Sequence, residues 1–195
     1  MSQILDNLYL GRQLDAKNKD FITKSKITHV FNCAWEAQYK LSKEIKYFEM
    51  KLKDQQNFPI IEYLDQAADH INKVLNEERG VLFVHCVWGV SRSPTLVIAY
   101  LMKYHNWNCL DAREFVRNKR PEISPNKSFW RTLQGYCEKL HPEILKEKHV
   151  HEVCTVPEAK KEVKEGRDSI RKTKSLAMKE KKIEKVLGER ERRKI

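Results

Sequence analysis

The sequence predicts an α/β fold in which helices flank a central sheet that is mainly parallel or mixed. Short apolar runs typical of buried strands alternate along the chain with longer segments whose apolar residues recur at helical spacing. The most apolar run, residues 81–84, is followed by a polar stretch and then by a second apolar segment, residues 94–102. A buried strand that leads into a buried helix is typical of a sheet covered by helices.

Four segments have the pattern of strands. Residues 3–11 alternate enough to form a strand or a hairpin that ends at Gly11. Residues 27–34 are predicted to form a buried strand, and residues 45–52 alternate with a period of two, which favours a short strand. The fourth strand, residues 81–86, follows Gly80.

Four further segments are predicted to be helices. From Phe58 onward, apolar residues recur on one helical face. A second helix has Pro94 in its first turn, where the missing N–H is not needed. The third covers about residues 111–118 and ends before Pro121, and the fourth follows Asn126. Three tryptophans are expected to pack in or beside the core: Trp35, Trp107 and Trp130.

Composition restricts the cellular setting. The 195 residues include five cysteines at irregular spacing, which favours free thiols in a reducing compartment over a disulfide framework. No CxxC pair or cluster of cysteine and histidine indicates zinc. No apolar run approaches the roughly 20 residues of a membrane span, and the first residues lack the pattern of a signal peptide. We therefore expect a protein of the cytoplasm, the nucleus or both.

The charge pattern divides the chain into a domain and a tail. The net charge is +11, and residues 151–195 carry 15 Lys and Arg against 9 Asp and Glu, with no aromatic residue after Tyr136. We predict a folded domain over residues 1–148 and a basic, charged tail over residues 149–195 that is helical or disordered. The tail is either a solvated charged surface or an arm for an acidic partner. Its interleaved glutamates and lack of aromatic residues argue against binding to nucleic acid.

Five polar residues lie between the predicted strand and helix: His85, Cys86, Ser91, Arg92 and Ser93. A loop that opens a helix presents free N–H groups and the positive end of the helix dipole, so this junction predicts an anion site. Gly89 relieves crowding where the backbone approaches an oxyanion, and Arg92 adds a planar fork that can hold two phosphate oxygens.

A cysteine inside such a site has a chemical consequence. The donors that bind phosphate also stabilise a thiolate, so the pKa of Cys86 is expected to fall and the sulfur to act as a nucleophile toward phosphorus. Arg92 and the loop amides would stabilise the charge of the transition state, and no metal or other cofactor is needed. A carboxylic acid must protonate the leaving oxygen, and the Ser93 hydroxyl can assist the departure of the thiolate in the second step.

Residues 85–93, HCVWGVSRS, resemble the HCxxGxSRS signature of the dual-specificity protein phosphatases, a branch of the cysteine-based protein tyrosine phosphatases. The segments NLYLG, ITHVFNC and KRPEISPNKSF resemble further landmarks in the family's order, over roughly residues 3–145. The resemblance implies a phosphatase-like fold and makes Cys86 the nucleophile, Arg92 the phosphate clamp, Ser93 an aid to phosphoenzyme breakdown and His85 a tuning group. The phosphate loop would consist of Val87, Trp88, Gly89, Val90, Ser91 and Arg92.

The resemblance also implies a general acid a little over thirty residues before the nucleophile. Asp54 follows the third predicted strand at that distance and is favoured over Asp65 and Asp69, which fall inside a predicted helix. Asn126 matches the family's asparagine that braces the phosphate loop, and it is also suited to cap the following helix. Trp88 departs from the small or polar residue common in the family. It is expected either to stack on a substrate side chain or to pack on neighbouring loops.

By resemblance, the substrates are proteins phosphorylated on tyrosine and on serine or threonine, as in the small atypical members of the family. The alternatives are an adaptor that binds phosphate without turnover, against which Cys86, Arg92 and Asp54 argue, and a phosphatase of RNA 5′-phosphates, whose loop differs. Some relatives protect the nucleophile by a disulfide, and Cys33 at the end of a predicted strand is the candidate for that role here.

Overall fold

The chain begins with a hairpin, one of the two forms predicted for residues 3–11. The computed structural model describes residues 1–37 and 40–142, so the predicted tail, residues 149–195, and its boundary lie outside the described residues. Strand β1 (Ser2–Leu5) pairs antiparallel with β2 (Leu8–Arg12). Strand β2 ends at Arg12, one residue after the predicted end at Gly11. Two short helices follow, α1 (Gln13–Ala16) and α2 (Lys19–Lys24).

Three further strands complete a five-stranded sheet. They are β3 (His29–Ala34), β4 (Lys46–Leu52) and β5 (Leu82–Cys86), each within two residues of its predicted start. The strand order is β1-β2-β5-β3-β4, and every pair except β1 with β2 is parallel. The prediction of a mixed, mainly parallel sheet is therefore confirmed.

Four longer helices follow the predicted order. Helix α3 (Ile61–Asn72) continues into one π-helical segment, Lys73–Glu77, and α4 (Arg92–His105) begins directly after the polar loop. Helices α5 (Cys109–Lys119) and α6 (Lys127–Leu140) complete the set. Among the described residues, no helix is long and apolar enough to cross a membrane.

The sheet is covered on both faces, which explains why its central strand is apolar throughout. On one face, Leu82 and Val84 of β5 belong to a large core shared with α3, α4, α5 and α6. On the other face, Phe83 packs in a smaller cluster with Ile22 of α2 and Val30 of β3. Cys86 therefore ends a fully buried central strand, at the edge where the carboxyl ends of parallel strands meet.

The expectation for the tryptophans holds only in part. Trp107 and Trp130 are partly buried against the core, as predicted. Trp35 is 49% exposed, because it lies in the turn after β3, with its backbone N–H bonded to the Leu52 carbonyl at 3.3 Å. Its ring is instead approached by the Lys53 ammonium, 5.8 Å from the centroid.

Candidate active site

The loop between β5 and α4 is anchored by its carbonyl groups. The Gln13 N–H donates to the Val87 carbonyl at 3.1 Å, and the Ser124 N–H donates to the Val90 carbonyl at 2.8 Å. The two carbonyls between them, of residues 88 and 89, accept from the Arg120 guanidinium at 3.4 and 2.9 Å. Because a trans peptide directs its C=O and N–H to opposite sides, four outward carbonyls turn the N–H groups of residues 88–91 inward.

Gly89 is required by the backbone of this loop. Its φ is +66°, a left-handed conformation that favours glycine. A Cβ at this position would overlap the carbonyl of Gly11 and would come within 2.8 Å of Arg120 Nη2. The glycine predicted from crowding at an oxyanion is therefore also needed for packing against β2.

The Cys86 sulfur is the point on which the inward donors converge. The Gly89 N–H donates to Sγ at 3.1 Å, and the Ser93 hydroxyl donates at 3.2 Å. The pKa of Cys86 lies well below its ordinary value, first through a hydrogen bond with the Cys33 thiol, then through Ser93 and the positive charge of Arg92. Burial opposes this shift but does not outweigh it.

Cys33 lies on β3 beside the end of β5 and is fully buried. Burial, the largest cause, together with the neighbouring sulfur of Cys86, raises its pKa well above the ordinary value, so it remains a neutral thiol that can donate a proton. Its Sγ lies 3.1 Å from the His85 carbonyl, which accepts this hydrogen bond in the structure. The thiol therefore has two competing acceptors, the carbonyl and the Cys86 sulfur, and its support for the thiolate is shared between them.

Arg92 occupies the first position of α4 and is 3% exposed. Its Nη1 donates to Glu36 Oε2 at 2.5 Å and to the Leu52 carbonyl at 3.2 Å. Burial opposes its charge, but Glu36 and Cys86 more than compensate and raise the pKa of the guanidinium. The buried Nε has no hydrogen-bond partner among the described residues and lies 3.8 Å from Asp54 Oδ2.

Asp54 follows β4 and is held by two donors on the same oxygen. The Ser91 hydroxyl donates to Oδ1 at 2.9 Å, and the Asn126 side-chain amide donates to Oδ1 at 2.8 Å. Asn126 also caps α6 through Oδ1, which accepts from the Phe129 N–H at 2.9 Å, and its own N–H donates to Ser91 Oγ at 3.1 Å. Asn126 is thus both a helix cap and a brace, and its side chain braces Asp54 whereas its backbone contacts the loop.

The two rival carboxylates lie elsewhere. Asp65 accepts hydrogen bonds from Lys103 and Tyr136, each at 2.8 Å, and Asp69 pairs with Lys103 at 2.6 Å. Both belong to a network between α3, α4 and α6. The structure brings only Asp54, of the three candidates, to the loop that holds Cys86.

His85 is 3% exposed and supports the loop indirectly. Its Nδ1 lies 3.3 Å from the Cys86 carbonyl, and its ring stacks on Phe83 with centroids 5.4 Å apart. Burial lowers the pKa of the ring, so the imidazole is neutral near pH 7 and donates from Nδ1. His85 thus contacts the backbone beside the nucleophile, which is consistent with a tuning role. Neither of its ring nitrogens is hydrogen-bonded to Cys86 Sγ.

Two residues of the site were not singled out from the sequence. Arg120 is 2% exposed and anchors two loop carbonyls, although it stands in a segment that resembles a family landmark. Glu36 lies in the turn after β3 and contacts Arg92 from 56 positions away. Neither residue has a spacing pattern that marks it, because each acts through a contact that only the fold creates.

Trp88 is 67% exposed, although its carbonyl is fixed by Arg120. Of the two expectations for this side chain, packing on neighbouring loops is contradicted by the exposure. The ring lies on the surface beside the nucleophile loop.

Comparison with known proteins identifies the family to which this fold and this loop belong. The model of the dual specificity phosphatase catalytic domain matches residues 8–139. The chain belongs to the dual-specificity phosphatase family. The chain is 38% identical to human dual specificity protein phosphatase 18 over 136 residues, which are 70% of this chain and 72% of that protein. It is 40% identical to human dual specificity protein phosphatase 14 over 140 residues, or 72% of this chain and 70% of that protein.

Solved structures agree on the architecture. The crystal structure of human DUSP28 aligns with a TM-score of 0.68 at 22% identity and covers 73% of this chain and 99% of that one. The likeness supports the fold. The family match and the curated relatives make this chain a dual-specificity protein phosphatase, a hydrolase of phosphotyrosine and of phosphoserine or phosphothreonine in proteins. Within residues 1–37 and 40–142, no cluster of His, Cys, Asp and Glu side chains is arranged to hold a metal ion.

Proposed function

We propose that this dual-specificity phosphatase works through a cysteinyl-phosphate intermediate at Cys86 and uses no metal. The observation that carries the proposal is the convergence of the Gly89 N–H and the Ser93 hydroxyl on Cys86 Sγ, at 3.1 and 3.2 Å. Beside them lies Arg92 Nε, which has no hydrogen-bond partner among the described residues. These donors favour a thiolate and leave a cationic edge that suits the oxygens of a phosphoryl group.

In the first step, the Cys86 thiolate attacks phosphorus, the S–P bond forms and the P–O bond to the substrate side chain breaks. The inward amides of residues 88–91 and Arg92 stabilise the three equatorial oxygens. Asp54 supplies the proton to the leaving oxygen. Since Oδ1 already accepts from Ser91 and Asn126, the proton belongs on Oδ2, the oxygen nearer to Arg92 Nε.

In the second step, water attacks the phosphorus, its proton passes to Asp54, and the S–P bond breaks to release phosphate and the thiolate. The Ser93 hydroxyl, which donates to Sγ, stabilises the departing sulfur. The neutral His85 keeps the backbone beside Cys86 in place through its bond to the Cys86 carbonyl. Asn126 orients Asp54 and thereby positions the acid.

The nucleophile is tested with Cys86→Ser. Purified wild-type protein is expected to hydrolyse 4-nitrophenyl phosphate in the presence of EDTA and to be inhibited by vanadate. The variant is expected to lose turnover by on the order of 10⁴-fold. A wild-type protein that binds a phosphopeptide tightly but does not hydrolyse it would instead be an adaptor.

The acid is tested with Asp54→Ala and with Asp69→Ala as the matched control. The loss in kcat/KM for Asp54→Ala is expected to be about 100-fold for phenyl phosphate and much smaller for 4-nitrophenyl phosphate, whose leaving group needs no proton. Asp69→Ala, a carboxylate paired with Lys103, is expected to keep the wild-type ratio of the two substrates. An equal loss for both substrates in Asp54→Ala would assign the proton transfer to another group.

We propose that the enzyme acts on phosphorylated proteins in the cytoplasm, the nucleus or both, because a thiolate of low pKa persists in a reducing compartment. The tail over residues 149–195, with its excess of Lys and Arg, is proposed as a contact for an acidic partner. Removal of the tail would then leave kcat for 4-nitrophenyl phosphate unchanged and weaken only the binding of acidic protein substrates.

A further inference from the structure

Trp35 and Lys53 form an exposed pair beside the sheet edge that holds the nucleophile. The large apolar ring of Trp35 is 49% exposed. The Lys53 ammonium lies 5.8 Å from the centroid of that ring, within the range of a cation–π contact. Lys53 is itself exposed, and no ion pair among the described residues includes it.

Backbone contacts hold this pair next to the proposed catalytic groups. The Trp35 N–H donates to the Leu52 carbonyl at 3.3 Å, and Arg92 Nη1 donates to the same carbonyl at 3.2 Å. Lys53 directly precedes Asp54, whose Oδ1 accepts a hydrogen bond from the nucleophile loop at 2.9 Å. One carbonyl therefore links the turn of Trp35 to the proposed phosphate clamp, and one peptide bond links Lys53 to the proposed acid.

The charge of Lys53 is not neutralised by the acidic residues that flank the pair in the chain. Glu36 Oε2 lies 2.5 Å from Arg92 Nη1. Asp54 accepts two hydrogen bonds through Oδ1, and its Oδ2 lies 3.8 Å from Arg92 Nε. Both carboxylates are thus engaged by Arg92 and the nucleophile loop, which leaves Lys53 as a positive charge at the rim of the site.

An apolar ring beside an ammonium group suits one class of side chain. The methylene groups of a glutamate can cover an aromatic ring while its carboxylate pairs with the ammonium. A glutamine would gain only the apolar contact, and a lysine would be repelled. An extended peptide advances about 3.3 Å per residue, so residues close to the phosphorylated one lie over the rim while the phosphoryl group is at Cys86.

We infer that Trp35 and Lys53 form a subsite that selects protein substrates with a glutamate near the phosphorylated residue. The inference rests on the proposed function, because the subsite matters only for phosphoproteins that are hydrolysed at Cys86. Trp35 supplies the apolar surface and Lys53 supplies the charge. Neither side chain touches the reacting atoms, so the pair affects which phosphoproteins are bound and leaves the chemical step to the nucleophile loop.

The test uses phosphotyrosine peptides of equal length that carry Glu, Gln or Lys at one position, which is moved along the peptide on both sides of the phosphotyrosine. At one position or at adjacent positions, wild type is expected to favour Glu over Gln by about 2- to 5-fold in kcat/KM, the range of an exposed ion pair. The preference should weaken as the salt concentration rises, because exposed charges are screened.

Variants assign the preference to the pair. Lys53→Glu should reverse the order and favour the Lys peptide, and Lys53→Met should remove the difference between Glu and Gln. Lys51→Glu is the matched control, since Lys51 is also exposed and lies two residues earlier, on β4, and it should keep the wild-type order. Each kcat/KM is divided by that of the same variant for 4-nitrophenyl phosphate, so a general change in the catalytic site cancels.

Trp35→Ala should reduce the preference for Glu, and a melting curve reports whether this variant is folded. A preference for Glu that persists in Lys53→Glu would overturn the inference and assign the effect to other cations of the chain. Equal values for the three peptides at every position in wild type would also overturn it. Failure of the proposed function is a different result, in which wild type does not hydrolyse 4-nitrophenyl phosphate, and the order of the peptides is then read from their Kd.

Discussion

The Cys33 thiol provides the sharpest test of how the nucleophile is ionised. Residues of the loop itself were expected to lower the pKa of Cys86, yet the largest cause is the hydrogen bond with Cys33, a residue of a neighbouring strand. Replacing this thiol in Cys33→Ala removes a donor and leaves the Gly89 N–H, the Ser93 hydroxyl and Arg92 in place. The pKa of Cys86 is therefore expected to rise.

The size of the effect follows from the weakness of a thiol donor and from its second acceptor. A hydrogen bond to a charged group contributes about 1.5–3 kcal/mol, and a thiol is a weak donor, so the lower end applies. The Cys33 proton is also shared with the His85 carbonyl at 3.1 Å, which limits its support for the sulfur. About 1.4 kcal/mol remains, which corresponds to an about tenfold smaller fraction of thiolate at a pH below the pKa.

The measurement is the pH dependence of kcat/KM for 4-nitrophenyl phosphate, together with the rate of alkylation of Cys86 by iodoacetamide. The thiolate limb of both profiles is expected to move to higher pH, with about tenfold lower kcat/KM below it and no change above it. Cys33→Ser, which retains a donor, should largely restore the wild-type profile.

The matched control is Cys137→Ala, since Cys137 is another buried cysteine, on α6. Its profile is expected to coincide with that of wild type. If Cys33→Ala moves the limb no further than Cys137→Ala does, the ionisation of Cys86 comes from the loop and Arg92 alone, and the role assigned to Cys33 is wrong.

Four further outcomes are expected. Arg120→Met should lower the free energy of unfolding by about 3 kcal/mol and reduce kcat, because two loop carbonyls lose their buried donor; chemical denaturation that gives a wild-type value would refute this. Trp88→Ala should lower kcat/KM about 3- to 10-fold for phosphopeptides and leave 4-nitrophenyl phosphate unchanged, whereas equal effects would exclude contact with the peptide. Burial lowers the pKa of His70 from 6.5 to about 4. The stability that the neutral His70 contributes is therefore complete above pH 6.5 and is lost as the pH falls toward 4. Over that interval, the free energy of unfolding of wild type should fall by about 2 kcal/mol more than that of His70→Gln. Mild peroxide should oxidise the Cys86 thiolate to a sulfenic acid that condenses with Cys33 to a disulfide and water, and mass mapping that always finds Cys33 free would dismiss this pairing.

Asp54, the proposed general acid, is held by one of its two oxygens. Oδ1 accepts from Ser91 and Asn126, so Oδ2 is the oxygen that the proposed mechanism uses for the proton. The same asparagine caps α6 through Phe129. A substitution such as Asn126→Ala would therefore affect both the start of a helix and the orientation of the acid, which a comparison of stability and leaving-group dependence can separate.

Much of this protein could be predicted from its sequence, because local signals were strong and consistent. Periodicity and punctuation located the segments that form the five described strands, the first two within one segment predicted to be a strand or a hairpin, and the four long helices. A run of apolar residues before and after HCVWGVSRS marked the strand–loop–helix junction. The short helices α1 and α2 were not predicted, since six residues or fewer give no clear period. The roles proposed for Cys86, Arg92 and Ser93 rest on their closeness in the sequence.

The sequence by itself determined the order of the elements, the family and the identity of the group proposed to attack phosphorus, since each of these depends on residues close together in the chain. Only the tertiary structure decided that Glu36 contacts the guanidinium and that Arg120 holds the loop carbonyls, and it placed Cys33, which the sequence had offered as a candidate, beside the sulfur. The physical reason is that parallel strands bring their carboxyl ends to one edge, so residues from β2, β3, β4 and β5 meet there although tens of residues separate them in the sequence. A hydrogen bond or an ion pair depends on distance in space, and no periodicity along the chain records it.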